Sequence, residues 1–214
     1  MSFPPRQPAR SEIAPENIEF YNFVIDRARY HSNMPEPEKE GGYYAHMLLT
    51  PEISASLCRQ GQYFRAVGDS LGSFSHADRE FVDQILGKDL KTNCVALGHI
   101  NDAVSTGVRI EAIEAIRFGR EDEVLNEDEK LLASFIRKVM AGQMDPATWA
   151  RMEARIGERG AMEYAAWILY LHTTIRGIQL VRAGEEPSDD QVDQLIADIK
   201  SGKHVVDDYR KRIS

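Results

Sequence analysis

The stretch from Ala161 to Leu180 most constrains what this chain can fold into. It carries Trp167, Ile168, Leu169, Leu171, Ile175 and Ile178 within about 20 residues, a length consistent with a long helix. A membrane span of that length would carry few or no charges. Glu163, His172 and Arg176 interrupt this one. The stretch is therefore expected to be a central helix covered by protein, with other amphipathic elements around it.

The rest of the chain supplies those elements. Thr50-Pro51 reads as an N-cap followed by proline at the first helical position, opening a helix through Ile53 and Leu57 toward Val67. Ser75-x-x-Asp78 resembles a capping box and opens a helix carrying Glu80, Phe81, Val82, Ile85 and Leu86. Asn126-x-x-Glu129 caps another, with Leu131, Leu132, Phe135, Ile136 and Val139 at three- and four-residue steps. Asp145-Pro146 starts a further helix with Trp149 and Met152, and Ser188 caps a last one over Gln191 to Ile199. Apolar and polar residues never alternate persistently, and no Asn-Gly or Asp-Gly hairpin turn occurs. The fold class is accordingly all-α. Residues 1–14 read as a flexible N-terminal arm and 15–214 as a single helical domain, with Met34 to Tyr44 as the one substantial interior loop.

Composition narrows the partners. The chain has 214 residues, 43% hydrophobic and 28% charged, with a net charge of −8. That length supports one sizeable core or two small ones. No basic stripe stands out, which argues against nucleic acid. No run is long and apolar enough to suggest a membrane partner. Met1 to Arg10 has three prolines and two arginines but no apolar core of a secretory signal. Two cysteines, Cys58 and Cys94, are too few for a disulfide scaffold, so a reducing cytoplasm is expected. The six histidines show no metal-ligand spacing, and no metal or other cofactor is expected. The acidic run Asp122, Glu123, Glu127, Asp128 and Glu129 reads as a solvated helix start.

One spacing points to chemistry. From Glu80, eleven residues lead to Thr92, two more to Val95, and three more to His99. This resembles the core of the carboxymuconolactone decarboxylase and alkylhydroperoxidase D family, whose thiol-active branch has cysteines at the Thr92 and Val95 positions. The acid and the imidazole are kept here and both thiols are gone. Ala103-x-x-x-Gly107-Val108-x-x-Glu111, the Leu125 to Glu129 segment, Thr148-Trp149 and the Gly157-Glu158-Arg159 turn extend the resemblance over most of the chain.

The resemblance implies an alkylhydroperoxidase D-like helical bundle that assembles as a homo-oligomer, a trimer or hexamer. In the family, the Glu and His relay protons. Glu80 and His99 are thus the expected catalytic pair, placed on successive antiparallel helices joined by a short loop such as Gly87-Lys88-Asp89. Thr92, Val95, Tyr170 and His172 are the expected substrate-binding residues, and Arg79 or Arg176 could hold a developing enolate.

The implied function is a cofactor-free enzyme acting on a small carboxylated or lactone-like molecule, with His99 as general acid or base. One alternative is a thiol-dependent hydroperoxide reductase using Cys94 or Cys58. Cys94 lies five residues before His99, about 140° away in helical projection, so it is expected on a different face. The other alternative is a non-enzymatic binding or assembly protein. Tyr43, Tyr44 and His46 read as a turn packing its aromatics on the body, with a lid or subunit contact as the other possibility.

Overall fold

The computed structural model describes residues 6, 8–32, 46–66, 73–181 and 186–207, without the side chains of 26–32. The expectations for the Met34 to Tyr44 loop, for Tyr43 and Tyr44, and for the approach to Val67 lie outside these residues. Every regular element among the described residues is helical. The α-helices are α1 (Ile18–Ser32), α2 (Pro51–Ala66), α3 (His76–Asp89), α4 (Asn93–Thr106), α5 (Ile110–Phe118), α6 (Glu121–Val124), α7 (Glu127–Ala141), α8 (Pro146–Val181) and α9 (Asp189–Lys200). None is long and apolar enough to cross a membrane.

The chain divides into two compact units. The first comprises residues 1–64 and 176–185. Its buried residues include Tyr21, Val24, Ile25, Leu48, Ala55 and Cys58, with Phe20 and Phe23 packed against them. The Arg59 guanidinium lies over the Phe20 and Phe23 rings, 5.6 and 5.0 Å from their centroids. The described part of the N-terminal arm includes a short 3-10 turn, Arg10–Glu12. Pro51 opens α2 as the sequence predicts.

The second unit comprises residues 65–175 and 186–214. Its core includes Phe74, Phe81, Ile85, Leu86, Ile100, Ile113, Ile116, Phe135, Ile136, Met152, Tyr164 and Ile168. The predicted capping boxes at Ser75 and Asn126 are both closed, and Ser188 caps α9 through a further box with Gln191. The long apolar stretch forms the later part of α8. Gly157 interrupts that helix at φ 78°, ψ 162°, so the sequence turn at Gly157-Glu158-Arg159 is a break between two helical segments.

The α3–α4 hairpin positions the candidate site. Gly87, Lys88 and Asp89 belong to the last turn of α3, and the connection is Leu90-Lys91-Thr92. This corrects the loop expected at Gly87-Lys88-Asp89. The amide of Thr92 donates to the Gly87 carbonyl at 2.8 Å, with Lys91 left-handed at φ 55°, a Schellman-type ending that carries lysine in place of glycine. Gly87 permits the close return: a Cβ there would lie 3.1 Å from both the Cβ and the amide nitrogen of Ala96. The Gln84 side chain donates to the Ala96 carbonyl at 3.4 Å, bridging the pair.

Candidate active site

The first turns of α3 carry His76, Arg79, Glu80 and Asp83, and α4 brings His99 against them. Glu80 and Asp83 are three residues apart, and His76 and Glu80 four, so these side chains share one helix face. His99 Nδ1 lies 2.9 Å from Glu80 Oε2 and 3.7 Å from Asp83 Oδ2. The other carboxylate oxygen, Glu80 Oε1, lies 3.0 Å from His76 Nε2 and 3.7 Å from Arg79 Nε. Arg79 Nη2 is in turn 2.6 Å from His76 Nε2. That nitrogen can donate to Glu80 or accept from Arg79, not both at once.

The cluster is asymmetric toward solvent. The carboxylates of Glu80 and Asp83 are almost wholly buried, whereas the His99 side chain is 38% exposed. Arg79 is also buried. Its Nη1, and Asp83 Oδ1, find no hydrogen-bond partner among the described residues. Burial alone would raise the pKa of Glu80. The charge of His99, hydrogen bonds from His76 and His99, and the Arg79 charge outweigh that effect and hold Glu80 below the ordinary carboxylate range. Burial, reinforced by the Glu80 charge, pushes Asp83 up to about 7 against the pull of His99, Arg79 and Arg65. For His99, burial opposes the charged ring, but Asp83 and Glu80 together raise it to about 9.

A second network anchors the helix that carries this face. Asp78 accepts from Arg155 Nη1 and Nη2 at 3.0 and 2.7 Å while closing the capping box, and Tyr164 donates to the Asp78 carbonyl at 2.9 Å. Arg155 also holds Asp128, and Arg109 holds the buried Glu129 through both carboxylate oxygens. The acidic run is thus partly engaged by cations, which the solvated-start expectation did not foresee.

The other expected residues are distributed differently. Val95 is buried on α4, one turn before His99. Thr92 is fully buried in the hairpin connection, where its hydroxyl donates to the Leu90 carbonyl at 3.3 Å. At seven residues' rise it is about 10 Å along the helix from His99. Tyr170 is buried and stacks on Trp167 with ring centroids 5.6 Å apart, while His172 is half-buried. Neither hydrogen-bonds to Glu80 or His99, whose bonds run between themselves and to His76. Arg176 belongs to the first unit and donates to Gln179. The Cys94 amide donates to Glu186 at 3.0 Å, and burial with the Glu186 charge pushes the thiol up to about 11. Cys58 is buried in the core of the first unit.

Sequence reasoning missed Asp83 and His76. Their spacing from Glu80 was a usable signal, because residues three and four apart share a helix face. It also found no metal-ligand spacing, yet Glu80, Asp83 and His99 each bring one donor atom within 4.8 Å of the others. Comparisons with protein-family models, curated proteins and solved structures find no match.

Proposed function

We propose that this chain is a carboxymuconolactone decarboxylase-like enzyme with an alkylhydroperoxidase D-like fold, transferring a proton on a small carboxylated or lactone-like substrate. The observation that carries this reading is the 2.9 Å contact between His99 Nδ1 and Glu80 Oε2, on a ring whose side chain is 38% exposed. An ionised Glu80 fixes the proton on Nδ1, leaving Nε2 as the nitrogen that exchanges with a bound molecule. With carboxylates at 2.9 and 3.7 Å, the imidazole is held as imidazolium at neutral pH, so its first act is that of an acid. Loss of carbon dioxide leaves an electron pair on carbon, and the Nε2 proton is delivered there. The Arg79 guanidinium, with one nitrogen unpartnered among the described residues, supplies a positive field toward the developing enolate.

A thiol route is less well supported. Cys94 raised to about 11 holds its proton at neutral pH, opposite to what a peroxide-attacking thiol needs. The test is a carbon dioxide release assay on carboxylated lactones with chelator-treated protein. His99→Gln should reduce turnover by about 10²- to 10⁴-fold, the usual worth of a general acid. Turnover retained in His99→Gln would overturn the proposal.

A further inference from the structure

We propose that Glu80, Asp83 and His99 form a binding site for one divalent first-row transition-metal ion. The inference rests on the same cluster as the proton-transfer reading: the cation occupies the space where His99 shares its proton with the carboxylates, and so switches the relay off.

The distances suit a common ion. Donors about 2.1 Å from one metal stand about 3.0 Å apart at right angles and about 3.4 Å apart tetrahedrally. His99 Nδ1 is 2.9 Å from Glu80 Oε2 and 3.7 Å from Asp83 Oδ2, and the three donor atoms fall within 4.8 Å of one another. One imidazole and two carboxylates favour a transition ion over calcium or magnesium, which prefer oxygen alone.

Asp83 is the independent sign of a missing partner. Its side chain is 2% exposed, Oδ1 finds no hydrogen-bond partner among the described residues, and Oδ2 is beyond hydrogen-bond distance of His99 Nδ1. A buried carboxylate oxygen without a donor is costly even with the Arg79 and Arg65 charges nearby, and a directly bound cation would satisfy it. The surrounding groups fit the role. His76 holds the oxygen of Glu80 that faces away from His99, fixing the carboxylate as an outer shell does at metal sites. The partly exposed His99 gives the ion a route in. With His99 neutral and both carboxylates ionised, the two ligand charges match that of the divalent ion.

The test uses the full chain after chelator treatment. Calorimetric titration with Zn²⁺ should show one ion per chain, binding in the micromolar range or tighter, and Co²⁺ should develop the visible absorption of a nitrogen- and oxygen-ligated ion. Asp83→Asn keeps shape and removes the ligand charge; it should weaken Zn²⁺ binding about tenfold or more. His99→Gln should weaken it similarly and change the Co²⁺ spectrum. Circular dichroism establishes that both variants fold. Absence of Zn²⁺ binding below millimolar concentration, or equal binding by the parent and both variants, would overturn the site. Turnover in chelator without Zn²⁺ binding would overturn the metal site and leave the relay standing. Zn²⁺ binding without metal-free turnover would support the site and remove the relay.

Discussion

His99 works at a boundary. Its Nδ1 edge meets two carboxylates that are almost wholly buried, while the side chain as a whole is 38% exposed. A charge on the ring is therefore stabilised at its Nδ1 edge while the side chain stays partly open to solvent. The ring's folded-state value, about 9, lies above the ordinary 6.5. The sign follows by linkage. Below about 6.5 the proton is bound in both folded and unfolded chains and the full stabilisation is present; it is lost as pH rises through about 9. In chelator-treated protein, the His99 ring resonances should titrate near 9 by nuclear magnetic resonance. Glu80→Gln should lower that midpoint by at least about one unit, since it removes the nearer carboxylate charge. A midpoint near 6.5 in the parent protein would contradict the electrostatic account.

Helix α3 is unusual in burying most of its polar residues as well as its apolar ones. Phe81, Val82, Ile85 and Leu86 enter the core, yet Asp78, Arg79, Glu80, Asp83 and Gln84 are also buried. Such a helix is stabilised where its buried polar groups find counterparts, and strained where they do not. Asp78 finds Arg155 and the Ser75 amide, and Tyr164 takes its carbonyl. Asp78→Ala removes the capping-box acid and leaves a half-buried guanidinium short of one carboxylate. Urea denaturation should show a loss of about 2.5–4 kcal/mol, combining a cap of about 1 kcal/mol with charged hydrogen bonds of about 1.5–3 kcal/mol. A change under about 0.5 kcal/mol would mean that Asp128 alone satisfies Arg155.

Assembly belongs to the scale of the whole molecule. Met162 and Leu169 are 60% and 51% exposed on α8, seven residues apart and hence on one side of the helix. These two exposed apolar side chains are ones that the homo-oligomer expected from the sequence resemblance would cover. Light scattering at micromolar concentration should give a mass of at least two chains, against 24.2 kDa for one. A monomer would overturn the expected assembly, and Met162→Glu with Leu169→Glu should drive an oligomer toward that monomer. How the site lies relative to such an assembly would then be read from the mass and activity of the same variant.

The sequence by itself determined the helical class and most helix starts, because caps and three-to-four-residue periodicity are local. Ser75, Asn126, Ser188, Pro51 and Pro146 act on the backbone within one turn of themselves, and each stands where its helix begins. The approach of Glu80 to His99 was legible in their spacing, since nineteen residues that form a helix, a tight connection and a helix return to nearly the same level. Only the tertiary structure decided that Asp83 joins them, that Thr92 belongs to the connection, and that Tyr170 stacks on Trp167. Those outcomes depend on which helix faces meet and on where burial strips water from a carboxylate. Neither is a property of neighbouring residues along the chain.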